Sequence, residues 1–180
     1  MQDDAVGTIN YFGYGTNRDL AMMAHMVGRE DIQGRPGKLL GHELCIQSLD
    51  DIPDTILETA PVARSPHDMI SSFGPDFKLY ITRPNPRAVT YGMIWQLTPE
   101  EWNRVRNWEL LDFGMQSDIT ANATDDSGAI LQVMTHGLLS PTQHVESVVS
   151  GDNYPDYIAP RAEMLKVADE ILVLYKQYQS

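Results

Sequence analysis

The feature that most constrains the fold is a strand that runs directly into a helix with a well-defined start. Ala88 to Leu97 (AVTYGMIWQL) is rich in β-branched and aromatic residues, which is typical of a strand. Thr98 then begins a capping box, in which a proline takes the first helical position and Glu101 stands three residues after the cap. Trp102 holds the hydrophobic-staple position. The sequence therefore predicts where this helix begins and which way its side chains point.

Glu109 falls on the apolar face of this predicted helix. A helix advances about 100° per residue, so Glu109 projects between Trp102 and Val105, which form that face. A carboxylate there is costly unless it is paired, and a partly buried carboxylate is a group that general acid–base catalysis can use. The alternative is that Glu109 lies where the helix has emerged into solvent, and pairs with Arg104 or Arg106.

A second informative segment is YFGYGTN, residues 11–17. Residues 8–12 are typical of a short strand, and two glycines then lead to a helix predicted from Arg18 to about Val27, with Thr16 or Asn17 as its cap. A strand, a glycine turn and a helix start bring several backbone N–H groups together, which suits a carboxylate, a phosphate or an oxyanion. The alternative is an ordinary tight turn. Neither nucleotide-binding glycine motif is present.

The rest of the chain predicts four more strands and one more helix. The strand-like segments are residues 37–49, as one strand or a bent pair, and residues 77–82, 116–123 and 129–139. Residues 84–86 (PNP) predict a turn, and the apolar spacing of residues 161–178 predicts a terminal helix. Residues 50–76 predict a long surface excursion with a helical turn near Ile56 and Leu57. Because strands do not alternate regularly with helices, we expect an α+β fold with all 180 residues in one domain.

Composition argues against several kinds of partner and site. The net charge of -12, from 13 Lys+Arg and 25 Asp+Glu, argues against a nucleic-acid partner. No apolar run approaches the ~20 residues of a membrane span, and the acidic N-terminus is unlike a signal peptide. A single cysteine, Cys45, leaves no internal disulfide and fits a cytoplasmic protein. The five histidines have no zinc-site spacing, so we expect no metal site.

Two separated segments resemble the γ-glutamyl cyclotransferase-like family. Residues 11–17 are similar to its Tyr-Phe-Ala-Tyr-Gly-Ser-Asn signature. Residues 81–109 are similar to its next block, in which a proline-rich turn, a Val-x-Gly strand and a Leu-Thr/Ser helix start precede the catalytic glutamate, here Glu109. A weaker similarity is residues 154–157 (YPDY), before the terminal helix, where the family often carries a substrate-contacting tyrosine, here Tyr157.

The chain also departs from the family pattern at three points. Thr16 stands where serine is usual, and it keeps the hydroxyl group and the backbone donor. Leu110 follows the glutamate where glycine is common, which bears on the shape of the helix end. Residues 50–76 are longer and more polar than is typical, so the family's substrate preference is not carried over to this chain.

The resemblance implies a small mixed β-barrel flanked by helices, with a pocket at its mouth. It also implies an enzyme that needs no cofactor, in which the α-amine of a γ-glutamyl amide or amino acid attacks the γ-carbonyl and releases 5-oxoproline. Glu109 would deprotonate the attacking ammonium, and N–H groups of residues 14–16 would bind the substrate carboxylate and the developing oxyanion. The substrate-binding residues implied are Tyr11, Phe12, Gly13, Tyr14, Gly15, Thr16, Asn17 and Tyr157.

A second hypothesis is a family relative without activity that binds a small amino-acid-like ligand or a protein partner. Glu109 favours the enzyme, because a binding protein has no need of a buried base at that position. Leu110 and residues 50–76 keep the second hypothesis open, because both depart from the family pattern. Under either hypothesis we expect a small-molecule or protein ligand, and a monomer or homodimer.

Overall fold

Six strands and four α-helices make up the regular structure of residues 7–140, 143–148 and 161–179, which are the residues that the computed structural model describes. The strands are β1 (Ile9–Gly13), β2 (Gly34–Ser48), β3 (Lys78–Leu97), β4 (Ser117–Asp125), β5 (Ile130–Gly137) and β6 (Glu146–Val148). The helices are α1 (Leu20–Val27), α2 (Pro66–Ile70), α3 (Pro99–Trp108) and α4 (Arg161–Gln179).

Five of the strands close into a barrel. Their order is β3-β1-β5-β4-β2, and β2 pairs again with β3 to complete the ring. The β1–β5 pair is parallel and the other pairs are antiparallel, so the barrel is mixed. β6 pairs with a further stretch of β2. The expected fold class, α+β with a small mixed β-barrel flanked by helices, is confirmed.

The two strands predicted on either side of residues 84–86 form one element, β3. The pairing of β3 with β2 shifts at this point, so that Gly41 of β2 alone stands opposite residues 85–88. Prolines are tolerated at such an irregularity, because the local ladder hydrogen bonds are already interrupted there. The predicted turn is therefore wrong, and its prolines lie in a wide bulge within one bent strand.

Helix α3 begins at the capping box that its sequence predicts, and its end shows what Leu110 does there. The Thr98 hydroxyl accepts the Glu101 N–H at 3.2 Å, and the Glu101 carboxylate accepts the Thr98 N–H at 2.8 Å. At the other end Glu109 is the C-cap, and Leu110 takes the left-handed conformation with φ of 51°. Glycine usually adopts this conformation after a helix. Leu110 keeps the helix end that glycine would form, and its side chain is fully buried.

Helix α1 starts later than predicted. Residues 15–18 form a short 3-10 turn, and α1 then begins with Asp19 as its N-cap. The Asp19 carboxylate accepts the Met22 N–H at 2.9 Å. The prediction of Thr16 or Asn17 as the cap is wrong, because the aspartate two residues later satisfies the free N–H groups of the helix.

Residues 50–76 contain a helix, but not where it was predicted. Ile56 and Leu57 are exposed and not helical, whereas α2 lies in the second half of the segment. Ser65 caps α2, with a proline at the first helical position. The Ser65 hydroxyl also donates to the Asp54 carboxylate at 2.6 Å. This hydrogen bond ties the two halves of the excursion together, and the buried Met69 and Ile70 pack α2 against the core.

The apolar core has three main parts: one inside the barrel, one that packs α1 and α3 against β1 and β3, and one between the barrel end and the helices. Side chains inside the barrel include Phe12, Leu39, Leu44 and Ile94. The part between the barrel end and the helices is the largest. It packs α1, α2 and α4 around the C-terminal end of α3, and includes Met22, Ile70, Trp108, Leu110, Phe113 and Ile171. The end of α3 is therefore enclosed by other elements, which places Glu109 beside the core.

Candidate active site

A pocket lies at one end of the barrel, where β1 and β5 end and β3 begins. Helices α2 and α4 cover this end of the barrel. The barrel, with the end of α3, contributes polar groups to the pocket, which we call the polar side: Tyr14, Gly15, Thr16, Glu109 and His136. The elements that cover it contribute what we call the apolar side: Ile70, Phe73, Phe77, Met164, Val167 and Ile171.

Glu109 is held at the pocket by two amide groups. Its Oε1 accepts a hydrogen bond from Asn17 Nδ2 at 2.6 Å, and its Oε2 accepts one from Gln116 Nε2 at 2.8 Å. The side chain is 12% exposed. Among the described residues no arginine pairs with it, since Arg104 and Arg106 pair with other carboxylates. The alternative of a solvent-exposed Glu109 in an arginine pair is therefore wrong.

The hydrogen bonds of Glu109 belong to a closed ring of five residues. Asn17 Nδ2 also donates to the Tyr11 hydroxyl at 2.7 Å. The Tyr11 hydroxyl lies 2.9 Å from His136 Nε2, and His136 Nδ1 lies 2.6 Å from Gln116 Oε1. Gln116 returns to the carboxylate of Glu109. We call this arrangement the Glu109 ring; every polar side-chain group in it is joined to two neighbours.

The direction of each hydrogen bond in the ring follows from the Glu109 carboxylate, which only accepts, and from one contact outside the ring. Trp108 Nε1 donates to Asn17 Oδ1 at 3.2 Å, so the amide nitrogen of Asn17 must face the ring. Gln116 donates its amide to the carboxylate, so its oxygen accepts the N–H of His136 Nδ1. The other imidazole nitrogen then accepts from the Tyr11 hydroxyl. Both donors to the carboxylate are thereby oriented before any ligand binds.

The pKa shifts of His136 and Tyr11 agree with these hydrogen-bond directions. Burial lowers the pKa of His136, and this effect exceeds the opposing effect of the nearby Glu109 charge. Burial and the same charge raise the pKa of Tyr11 well above its usual value. At neutral pH the imidazole is therefore neutral and the phenol is protonated. The 3.8 Å separation of His136 Nε2 and Glu109 Oε1 is not an ion pair.

Two glycines let the chain bring Asn17 and Thr16 to the pocket. A Cβ on Gly13 would lie 2.5 Å from the backbone oxygen of Asn17, which leaves room only for hydrogen. Gly15 has φ of 61°, a conformation that glycine adopts without strain, and packs against the Tyr80 ring. The segment predicted to be a ligand-binding loop is therefore a 3-10 turn folded tightly back on its own strand.

The structure brings most of the predicted site residues together. Residues 14–16 line the pocket beside Glu109, and Tyr11 and Asn17 stand directly behind them in the Glu109 ring. Phe12 does not line the pocket, because it lies deeper in the barrel than Tyr14, two residues further along the chain. Its ring is fully buried inside the barrel. The substrate contact predicted for Phe12 is therefore replaced by a packing role.

The remaining sequence expectations concern Tyr157, metal ions and membranes. Tyr157 and the segment 154–157 lie outside the described residues, so the tyrosine contact stays a prediction. Among the residues that are described, no three histidine, cysteine or acidic side chains converge as metal ligands would. Within the same ranges, no helix combines the length and apolar character that crossing a membrane requires.

Several solved structures share this fold at low sequence identity. A protein named gamma-glutamyl cyclotransferase matches with a TM-score of 0.55 and 12% identity, over 96% of this chain and 85% of that chain. The chain has the γ-glutamyl cyclotransferase fold. The uncharacterized protein loc79017 from Homo sapiens matches with a TM-score of 0.52 and 12% identity, over 96% of this chain and 87% of that chain. At5g39720.1 from Arabidopsis thaliana matches with a TM-score of 0.52 and 13% identity, over 98% and 92%.

Comparison at the level of sequence adds no further relative. No protein-family model matches the chain, and no curated protein matches it. The γ-glutamyl cyclotransferase fold is what the two motifs implied, and at 12–13% identity the structural matches establish the fold alone. The chemistry of the pocket is therefore argued from its own residues.

Sequence reasoning missed two members of the Glu109 ring, His136 and Gln116. His136 was grouped with histidines that have no zinc-site spacing, and Gln116 was the first residue of a predicted strand. A signal for His136 was present, since it lies in the otherwise mostly apolar run VMTHGLL of residues 133–139. A titratable side chain in such a strand must be buried with partners or face a site. No comparable signal marks Gln116.

Proposed function

We propose that this protein cyclises γ-glutamyl amides and releases 5-oxoproline and an amine. The observation that carries the proposal is the Glu109 carboxylate, which lies at the pocket with one amide donor on each oxygen. A carboxylate oxygen can accept two hydrogen bonds, so the ring leaves acceptor capacity for a substrate ammonium. The fold supports the same reaction, because one structural neighbour is named gamma-glutamyl cyclotransferase.

The first half of the reaction requires a base. The α-nitrogen of the substrate is an ammonium at neutral pH and has no lone pair for attack. Glu109 takes one of its protons, and the amine then attacks the γ-carbonyl carbon. The new C–N bond closes a five-membered ring, and the carbonyl oxygen becomes an oxyanion. Because both reacting groups belong to one molecule, holding it folded removes much of the barrier.

The second half of the reaction breaks the amide C–N bond. Overall, two protons leave the α-nitrogen and two reach the leaving nitrogen, which departs as an ammonium. Glu109 accepts each proton and passes it on, so the carboxylate is regenerated. The substrate α-carboxylate is unchanged, and no water is consumed. The products are 5-oxoproline and the free amine.

Thr16 supplies donors for the substrate in this proposal. Its backbone N–H lies in the first turn of the 3-10 segment, where N–H groups have no acceptor within the helix. Its position in the pocket suits the γ-carbonyl oxygen as that oxygen becomes negative. The Tyr14 hydroxyl instead donates a hydrogen bond to the backbone oxygen of His136 at 2.9 Å.

The Glu109 ring fixes the position of the base. Asn17 and Gln116 each use one amide hydrogen on the carboxylate, and both are held by further partners. Both nitrogens of His136 are engaged, so the imidazole does not compete for the substrate proton. Glu109 is therefore the proton carrier in this proposal, and the other four residues position it.

The experiment that tests the proposal measures 5-oxoproline by mass spectrometry after incubation with γ-glutamyl amines, γ-glutamyl amino acids and glutathione. Glu109→Gln removes the base. Glu100→Gln, on the exposed face of the same helix, is the matched control. We expect product from wild type and Glu100→Gln, and a rate at least about 100-fold lower from Glu109→Gln. Circular dichroism confirms that each variant is folded.

Two outcomes would contradict the proposal. One is an undiminished rate from folded Glu109→Gln, which would remove the base from the mechanism. The other is no product from wild type with any γ-glutamyl substrate, which would favour a binding protein without activity. The two features that kept the hypothesis of such a relative open have structural accounts: Leu110 forms the helix end that glycine would form, and residues 50–76 fold against the pocket.

A further inference from the structure

The apolar side of the pocket offers a ligand no hydrogen bonds. Its six side chains are aliphatic, aromatic or thioether groups, and five of them are buried, Phe73 being half-buried. Lys78 also lines this part of the pocket, but it is exposed, so its ammonium group stays in water. Apart from Lys78, the ionisable described residues of the lining are Glu109, His136 and the two tyrosines Tyr14 and Tyr80, and none of them belongs to the six side chains of the apolar side.

This apolar side is anchored to the rest of the molecule. The rings of Phe73 and Phe77 stack with centroids 4.5 Å apart and planes 11° apart, which gives one continuous apolar face. Opposite them, α4 is joined to α1 by a 2.6 Å contact between His25 Nε2 and Asp169 Oδ1. Helix α2 packs its buried Met69 and Ile70 into the same core cluster as Met164, Val167 and Ile171 of α4, so the two covering helices share one apolar core at the barrel end.

The position of Glu109 orients the substrate in this pocket. The glutamyl half carries an ammonium and a carboxylate, so it belongs on the polar side, where Glu109 and Thr16 lie. Its γ-carbonyl must then lie next to that side, and the amine half extends into the remaining space. We infer that the amine half of the substrate is apolar, an amine with a branched aliphatic or aromatic group; this inference rests on the proposed function.

The physical reason is the cost of placing a charge on the apolar side. An ammonium on the amine half would lose its water there and gain no partner, and a carboxylate could meet only the exposed Lys78, not the six apolar side chains. An aliphatic or aromatic group instead gains contact with buried side chains. One methylene in such a pocket changes kcat/KM by about 10- to 200-fold. We therefore expect glutathione, whose remainder is a charged dipeptide, to be a poor substrate.

The test compares two γ-glutamyl amides of similar length. One is made from isopentylamine, and the other from diaminobutane, which ends in an ammonium. We expect kcat/KM for the isopentyl amide to be at least about tenfold higher. Val167→Thr places a hydroxyl in the wall at constant volume, and should reduce this preference about threefold or more. Val173→Thr is the matched control, because Val173 is 54% exposed on the same helix and lies outside the pocket lining.

The outcomes separate this inference from the proposed function. Product formation with equal or reversed preference would overturn the inference and leave the proposed function intact. If neither amide gives product, the proposed function fails, and calorimetric binding of both amides to Glu109→Gln decides the inference. Binding of the isopentyl amide at least about tenfold more tightly supports an apolar site. Equal binding, tighter binding of the diamine amide, or no binding overturns it.

Discussion

The polar and apolar sides of the pocket hold their side chains in different ways. In the Glu109 ring, five residues from three parts of the chain are joined by contacts of 2.6, 2.7, 2.9, 2.6 and 2.8 Å, so each depends on two others. On the apolar side, six side chains pack without a directed bond. The proposed chemistry therefore depends on all five residues of the ring together. Substrate specificity, in contrast, can be altered by replacing one apolar side chain at a time.

The largest effect is expected from opening the ring at both donors. Asn17→Leu combined with Gln116→Met keeps side-chain size but leaves the Glu109 carboxylate without its amide partners. A base displaced by about 1 Å loses about 100-fold in rate, so kcat should fall by about that factor, with KM changing less. Steady-state kinetics with a γ-glutamyl amide measures both constants. A kcat within threefold of wild type would show that the ring does not position the base.

An apolar-side substitution should have a different signature. Met164→Ala removes a buried side chain, so the free energy of unfolding should fall by about 3 kcal/mol. KM for an apolar amide should rise several-fold, while kcat falls less than threefold. Urea unfolding and steady-state kinetics measure these quantities. If kcat fell as much as in the ring variant, the apolar side would also position the base, and the two sides would not have separate roles.

Leu110 directly follows Glu109 and is packed in the apolar core rather than in the pocket lining. Replacement by glycine relieves a left-handed conformation that costs about 1–2 kcal/mol in other residues. It also deletes a fully buried leucine side chain, which costs about 2–5 kcal/mol. We expect Leu110→Gly to lower the free energy of unfolding by about 2 kcal/mol and to keep the activity. An increase in stability on urea unfolding would show that backbone strain dominates at this position.

The smallest effect concerns pH. Because burial lowers the pKa of folded His136, the unfolded state binds a proton first as the pH falls below about 6.5. The free energy of unfolding should then fall with pH by up to about 1.4 kcal/mol per unit, until the pH reaches the folded-state pKa. His136→Gln should lose this part of the slope between pH 7 and 5. Parallel slopes for wild type and variant would contradict a neutral buried imidazole.

Local parts of the fold and site were predictable from sequence. The start of α3 and the inward direction of Glu109 depend on a capping box and on helix periodicity, both of which act within a few residues. The strand order was not predictable in the same way. β3 was interpreted as two strands, because its prolines have the local signature of a turn and their bulge depends on pairing with β2.

The ring partners and the apolar side could not be predicted for a related reason. Tyr11 and His136 are 125 positions apart and meet because β1 runs parallel to β5 in the closed barrel. Phe73 and Met164 line the pocket together because α2 and α4 cover the same barrel end. Such contacts depend on barrel closure and helix docking, which leave no local pattern in the sequence.

The most direct test of the central claim follows the atoms of the substrate. A γ-glutamyl isopentylamide with heavy nitrogen at the α-position is incubated with the enzyme in water labelled with heavy oxygen. Intramolecular attack predicts 5-oxoproline that retains the heavy nitrogen and contains no heavy oxygen, with a rate that depends on Glu109. Glutamate that carries heavy oxygen would show that water attacks the γ-carbonyl, and would contradict the account.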